Sequence, residues 1–235
     1  VILQRFSNSA LLLVLAWLIS GVTGFVLGVA AGATRGRWLD RIIKGVCFVL
    51  ASTPTFWFGM LALMVFSVWL GWFPFGFSGP IGQPGDQTGW LDSIHHLILP
   101  AVTLGITGIA NIALHTRAKL VQVMESDFFI FARARGQSML QAVQRHGLRN
   151  IALPALTLQF ASLSEIFGGS VLVEQVFSYP GLGQATITAA LGSDVALLAG
   201  IAVITTAVVF VGNQTANLLY GVIDPRIRRR GHDVD

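Results

Sequence analysis

Long apolar runs alternate with short polar connections along the whole chain of 235 residues. The runs cover residues 9–33, 43–70, 96–117, 151–173 and 195–221. Each is long enough to cross a hydrocarbon core of about 30 Å, which takes about 20 helical residues. The runs are continuously apolar, without the alternation that is typical of barrel strands. The pattern therefore predicts an all-α, polytopic transmembrane helical bundle with five spans in this chain.

Positive charge is confined to alternate connections between these runs. Arg5 is the single basic residue on one side, and the connections 71–95 and 174–194 contain no Lys or Arg. The other side carries Arg35, Arg37, Arg41, Lys44, Arg117, Lys119, Arg133, Arg135, Arg145, Arg149, Arg226, Arg228, Arg229 and Arg230. Because cytoplasmic loops keep positive charge, the pattern predicts a multi-pass protein of a bacterial-type cytoplasmic (inner) membrane. It places the C-terminus in the cytoplasm and the first residue outside.

Composition excludes several other classes of protein. Charged residues are 11% of the chain and hydrophobic residues 54%, against about 25% charged in a soluble domain. The net charge of +4 does not indicate a nucleic-acid partner, because the basic residues flank apolar runs. The only lysines, Lys44 and Lys119, do not stand in a phosphate-binding loop, and no catalytic or metal-ligand grouping is evident. We therefore predict no enzyme activity, no cofactor and no metal.

Glycine and proline residues within the apolar runs predict where helices pack closely or bend. Gly24, Gly28 and Gly32 share one helical face, which favours close helix packing over a contact between subunits. Pro54, between two threonines, predicts a bend in the second run rather than a gating hinge.

An ionisable group in hydrocarbon is costly and by default marks a pathway. Glu165 is therefore a candidate for lining a conduit, with Asn111 as a second polar residue. The alternative for Glu165 is a protonated or paired carboxyl at a helix interface. His115 lies near the cytoplasmic end of its run, where an interfacial role is the simpler interpretation.

The cytoplasmic connection 119–150 has few helix breakers and is predicted to be helical. Its predicted apolar face comprises Met139, Leu140, Val143 and Leu148, opposite Gln141, Gln144 and Arg145. Such a helix either lies on the membrane surface or fits the groove of a soluble partner.

Segments 127–136 (DFFIFARARG) and 145–150 (RHGLRN) resemble the coupling loop of ATP-binding-cassette (ABC) importer permeases. More narrowly, they resemble the B-type permease subunit of dipeptide, oligopeptide and nickel importers. The resemblance covers nearly the whole chain and continues through residues 52–57, 96–101, 168–174, 177–183 and 224–228. The general importer motif has a glutamate where this chain has Ile130, a departure similar to that of the peptide branch. The family normally has six spans, so the resemblance implies one more span before Val1.

The resemblance implies a single permease domain over residues 1–235, with residues 119–150 as its coupling loop. It implies a second homologous permease, two cytoplasmic ATPase subunits and an external solute-binding protein, which loops 71–95 and 174–194 would meet. ATP hydrolysis would then occur in the separate subunits, and the cargo would be di- or oligopeptides. The residues implied in coupling to the ATPases are Ala132, Gly136, Leu140, Val143, His146 and Leu148.

Two other classes remain open from the residues alone. One is a secondary transporter driven by an ion gradient, with Glu165 and His115 as a proton relay. No clear internal repeat, which that class often has, is visible in the sequence. The other is a structural or assembly protein whose cytoplasmic loop serves as a scaffold.

Overall fold

The computed structural model describes residues 2–74, 76 and 90–223, and the regular elements within these ranges are helices. The helices are α1 (Ile2–Ala33), α2 (Trp38–Ser52), α3 (Thr55–Ala62, extended by a π-helical stretch Leu63–Trp69), α4 (Trp90–Met124), α5 (Asp127–Ala134), α6 (Met139–Ala142, extended by a π-helical stretch Val143–Gly147), α7 (Leu148–Ala161), α8 (Leu163–Val176), α9 (Leu182–Leu191) and α10 (Val195–Ile223). The all-helical prediction is confirmed.

Helix α4 is the centre of the bundle. Its most apolar window is 72% buried, against 28% for α1 and 11% for α10. Helices α1, α2, α3, α7 and α8 all pack on it. Because α4 is covered by protein, its buried face consists of ordinary core residues such as Leu104 and Ile112.

Helix α1 lies against α4 at backbone distance. A β-carbon on Gly24 would lie 2.9 Å from the carbonyl oxygen of Ile109, and one on Gly32 would lie 2.8 Å from Leu120 Cδ2. Glycine on α4 also allows α1 to approach closely, since a β-carbon on Gly108 would lie 2.9 Å from Ser20 Cβ. The glycine face therefore packs helices within this chain, as predicted, in the way small residues bring helices together in membranes.

The second apolar run is a broken span. Helices α2 and α3 meet at Thr53 and Pro54 with a bend of 105°. Proline has no N–H to donate, and its ring disfavours helical backbone in the residue before it. The predicted bend is confirmed, but the helix begins at Trp38 instead of residue 43, because the turn after α1 takes only four residues.

The third and fourth runs extend further than their apolar residues. Helix α4 covers residues 90–124 and so takes in the ends of both predicted loops, 71–95 and 119–150. Helices α6 and α7 follow each other without a break, and the bend of 46° comes later, between Ala161 and Leu163. The connection 119–150 is largely helical, and its amphipathic segment is continuous with the fourth span.

Within the described ranges, three helices are individually long and apolar enough to cross a membrane, and the number is up to five if each bent pair counts as one span. This agrees with the five predicted spans. Connection 174–194 contains α9, an apolar helix of ten residues. Most of loop 71–95, the motif 224–228 and the basic residues 226–230 lie outside the described residues.

Candidate functional site

Connection 119–150 folds as one packed unit against the ends of α1 and α4. Leu120 of α4 is the centre of its core and is fully buried. Val143 and Phe129 are both 2% exposed and belong to the same core, with Phe25 and Val29 of α1 packed against it. A displacement of the α5–α6 region is therefore felt directly by two membrane-spanning helices.

Local backbone signals shape the turn between α5 and α6. Gly136 has φ +87°, a conformation that L side chains rarely adopt, and this ends α5. Ser138 then begins α6 as a capping box: its Oγ accepts from the N–H of Gln141 at 3.2 Å, and Gln141 Oε1 accepts from the N–H of Ser138 at 3.0 Å. The Ser-x-x-Gln spacing is visible in the sequence, but the capping box was not among the predicted features.

The predicted coupling residues divide into two groups by exposure. Leu140 is 66% exposed, Gly136 is exposed, and His146 is half-buried. Ala132 and Val143 are buried, and Leu148 is half-buried. The predicted apolar face was thus partly wrong: Met139 and Leu140 point outward, whereas Val143 points inward.

The physical reason is the angular position of Leu140, because each residue turns an α-helix by about 100°. Leu140 lies about 110° around the helix from the direction midway between Ala142 and Val143, the two buried residues of this turn. The π-helical stretch Val143–Gly147 follows, and a β-carbon on the buried Gly147 would lie 3.0 Å from Leu120 Cδ1. Leu140 and Met139, at the start of this segment, form an exposed apolar pair.

An ion pair joins the start of α2 to the C-terminal part of α4 beside this unit. Arg117 donates two hydrogen bonds to Asp40, from Nε at 2.6 Å and from Nη2 at 2.8 Å. The carboxylate of Asp40 is 1% exposed and also accepts from the N–H of Gly36 at 2.9 Å. A second, exposed pair joins Arg35 to Glu125. The basic stretches after α1 and at the end of α4 therefore meet at one end of the bundle.

Replacing Arg117 with lysine is expected to destabilise the protein by roughly 1–2 kcal/mol. A lysine keeps the charge but cannot make the bidentate contact with Asp40. A charged hydrogen bond contributes about 1.5–3 kcal/mol when desolvated, and we discount this because the Arg117 side chain keeps 20% exposure. Thermal unfolding of the detergent-solubilised protein measures the loss. Lys119→Arg, an exposed position on the same helix, is the matched control, and an equal shift in both variants would contradict this role of Arg117.

One side of helix α8 is exposed on the surface of the chain and carries both polar and apolar residues. The exposed positions are Ser164, Glu165, Gly168, Leu172 and Gln175, which share one side of a helix. The opposite side is the packed one. It contains Ile166, Ser170 and Val173. A β-carbon on Gly168 would meet no heavy atom of the described residues within 4 Å, so this face is open.

Asn111 and His115 lie together on α4 and apart from the ion pair below them. The Nδ1 atom of His115 is 3.0 Å from the carbonyl oxygen of Asn111, one helical turn away. Asn111 is half-buried and His115 is exposed. His115 is two residues before Arg117 on α4.

A buried polar cluster joins α1, α8 and the start of α9 at the opposite end of the bundle. Glu174 is fully buried and accepts from Ser9 Oγ at 2.6 Å, from the N–H of Gly183 at 2.7 Å and from the N–H of Gln184 at 3.2 Å. Ser9 Oγ in turn accepts from the N–H of Leu182 at 2.7 Å. The first N–H groups of α9, which have no partner within their helix, are satisfied by side chains of two other helices.

The Pro-Gly-Leu-Gly turn is built around this carboxylate. A β-carbon on Gly181 would collide with Glu174 and with Ser9 Oγ, and one on Gly183 would lie 2.5 Å from Val171 Cα. Arg5, the single basic residue on this side, donates to Gln184 Oε1 at 3.2 Å. The sequence showed a turn here but not its anchor, because Glu174 and Ser9 are 165 residues apart.

Tyr179 stabilises the same turn from within. Its hydroxyl group donates to the carbonyl oxygen of Asn8 at 3.3 Å, and Asn8 Nδ2 donates to the carbonyl oxygen of Pro180 at 3.0 Å. Burial and the neighbouring Glu174 carboxylate raise the pKa of Tyr179 to about 12. The phenol therefore remains a hydrogen-bond donor at all physiological pH values.

The chain is similar to known proteins over nearly its whole length. A family described as "Binding-protein-dependent transport system inner membrane component" matches residues 24–229. The oligopeptide transport system permease protein AppB of Bacillus subtilis (strain 168) is 35% identical over 226 residues, which cover 96% of this chain and 71% of that protein. The di/tripeptide transport system permease protein DppB of Pseudomonas aeruginosa (strain UCBPP-PA14) is 36% identical over 233 residues, with 92% and 68% covered. The glutathione transport system permease protein GsiC of Escherichia coli (strain K12) is 34% identical over 227 residues, with 97% and 70% covered.

Proposed function

The chain belongs to the family of binding-protein-dependent transport system inner membrane components, and from this premise we propose that it carries short peptides across the membrane. It is a multi-pass permease subunit of an ABC importer, of the B type. The relatives named for oligopeptides, di- and tripeptides and glutathione support a peptide or peptide-like cargo.

The proposed complex contains a second homologous permease, two cytoplasmic ATPase subunits and an external solute-binding protein. The ATPases hydrolyse ATP, and this chain supplies half of the membrane pathway. The charge pattern of the connections supports a cytoplasmic position for loop 119–150 and for the C-terminus. Loops 71–95 and 174–194 then face the binding protein.

The exposure of Leu140 carries the docking proposal. An aliphatic side chain that is 66% exposed on a polar loop gains stability when a partner covers it. Met139 lies beside it at 37% exposure. Arg133, Arg135 and Arg145 surround this apolar pair on exposed positions. Protein interfaces usually have apolar residues at the centre and polar or charged residues at the rim.

Transmission depends on the buried half of the same unit. A partner that moves Leu140 also moves Val143, three residues away, and Val143 packs in one core with Leu120 of α4. Leu148 of α7 and Phe129 of α5 belong to the same core, and Ala132 is buried on α5. Gly136 allows the sharp turn that holds α5 and α6 together. Binding of ATP to the partner subunits would thus shift the importer between conformations that open outward and conformations that open inward.

Leu140→Glu is expected to lower ATP-dependent uptake at least about tenfold, since a charge placed in an apolar contact costs several kcal/mol. The residue is exposed, so the chain itself should fold and insert normally. The test is uptake by vesicles that contain the whole reconstituted complex, together with the amount of ATPase subunit that copurifies with the permease. A bulky charged residue at Gly136 should act in the same direction, with an added strain from its positive φ.

The control adds the same charge outside the α5–α6 unit. Gln122→Glu lies on an exposed position of α4 and should retain uptake and copurification. Normal uptake by Leu140→Glu would exclude this surface as the docking site. Loss of uptake with normal copurification would exclude docking at Leu140 while leaving a role in transmission.

For the pathway we propose Glu165, with Asn111 as a further polar position. The open face of α8 around Gly168 supports Glu165, since that side is free for a second permease or for water. The half-buried position of Asn111 on α4 is compatible with a lining role in another conformation.

The alternative of an ion-gradient-driven transporter is not favoured by membership in this family. The two residues of the proposed relay also lie on different helices: His115 is on α4, two residues before Arg117, whereas Glu165 is on α8, beyond the bend between α7 and α8. Uptake that persists without ATP but is abolished by a protonophore would revive that alternative. A purely structural role would require that the reconstituted complex move no solute.

A further inference from the structure

Helix α8 carries two carboxyl groups that differ in burial and in hydrogen bonding. Glu174 is fully buried and accepts three hydrogen bonds. Glu165 is exposed, and it makes no hydrogen bond or ion pair with any residue that the structure describes. The first carboxylate has a complete structural role. The second has none within the described part of the chain.

Glu165 stands well inside the membrane. It follows Arg149 by sixteen residues, which is about 24 Å along helices at 1.5 Å per residue. It precedes the last residue of α8, Val176, by eleven residues, or about 16 Å. A charged group facing lipid at such depth costs about 2.5–3.5 kcal/mol or more. Its face must therefore be turned to water or to another group in the assembled importer.

The apolar runs around Glu165 offer no cation for it. Lys and Arg do not occur in residues 45–116 or 150–225. These ranges include the fourth and fifth runs and all of the third run except Arg117. The surroundings on α8 are small or uncharged: Gly168 leaves open space one turn away, and Leu172 and Gln175 follow on the same side. An acidic group beside an open, otherwise uncharged surface is suited to a mobile positive charge.

We infer that Glu165 receives the positively charged amino group of the solute as it passes along α8. This inference rests on the proposed function, and it narrows the cargo to peptides with a free amino terminus or a basic side chain. A carboxylate in a site of reduced dielectric attracts an ammonium group more strongly than one in bulk water does. The open position at Gly168 gives the peptide room to pass next to the carboxylate. The same contact lowers the cost of holding the carboxylate at this depth.

The test compares two peptides in the fully reconstituted importer. The probes are trialanine and N-acetyl-trialanine, which differ in the charge of the amino terminus. Uptake is measured with the binding protein saturated by each peptide, so that its own preference does not enter the ratio. We expect the wild-type permease to import trialanine at least about five times faster. Glu165→Gln should slow trialanine about five- to tenfold, leave the acetylated peptide unchanged and bring the ratio close to one.

Ser164→Ala is the matched control, because Ser164 is exposed next to Glu165 on the same side of the helix and carries no charge. It should retain the wild-type ratio. An equal slowing of both peptides by Glu165→Gln would overturn the inference and indicate a structural pairing with another subunit. Unchanged uptake of both would also overturn it. A wild-type importer that moves neither peptide would refute the proposed peptide cargo itself, which the other outcomes leave intact.

Discussion

Replacing Glu174 with alanine is expected to lower the free energy of unfolding by at least about 3 kcal/mol. The change removes the acceptor for the hydroxyl of Ser9 and for the N–H groups of Gly183 and Gln184. Each buried donor left without a partner costs about 1–3 kcal/mol. The effect on melting temperature should be about 2–4 °C for each kcal/mol in a chain of this size. Thermal unfolding in detergent micelles measures it.

Two further variants separate the hydrogen bonds from a general effect of mutating this helix. Glu174→Gln keeps one acceptor oxygen and should lie between wild type and Glu174→Ala. Gln175→Ala changes the next, exposed residue and should unfold within about 1 °C of wild type. If Glu174→Ala and Gln175→Ala unfolded at the same temperature, the carboxylate would not be the anchor of the α8–α9 turn.

The difference between Glu165 and Glu174 shows where sequence reasoning succeeds and where it ends. Both are acidic residues in or beside an apolar run, and the sequence alone could assign either to a pathway or to a buried contact. The outcome depends on Ser9 and on the N-terminus of α9, which come from distant parts of the chain. Contacts of that kind leave no local pattern. The family motifs at 168–174 and 177–183 did mark the region, although not the bonds within it.

Periodicity was sufficient for the number of spans. The apolar runs gave this number because hydrocarbon thickness sets a minimum length that sequence reports directly. The exact ends of α4 were missed because polar residues outside the hydrocarbon continue the same helix. The outward position of Leu140 was missed because apolarity alone does not give the width of the packed face, which here is set by Ala142 and Val143. Both errors concern segments outside the hydrocarbon core, where hydrophobicity is a weaker guide.

Gly28→Ala is expected to destabilise the bundle by about 1–3 kcal/mol, and Gly28→Val by more. A β-carbon at this position would lie 2.6 Å from Thr116 Cβ and 2.7 Å from the carbonyl oxygen of Ala113. Neither atom is at the end of a flexible side chain, so α1 and α4 must separate to make room. Separation would open the largest helix interface of the described residues and loosen the packing of α1 on the cytoplasmic unit around Leu120.

The matched control for Gly28 is Gly45→Ala on α2. A β-carbon at Gly45 would meet no described heavy atom within 4 Å, and the position lies in the middle of a helix. Because alanine restricts the unfolded chain more than glycine does, this change should be neutral or stabilising by up to about 1 kcal/mol. The two variants add the same methyl group to helices of one protein, so the difference in their melting temperatures isolates steric contact between α1 and α4. Equal melting temperatures would show that the two helices are not held at backbone distance, and a drop confined to Gly28→Ala would show that they are.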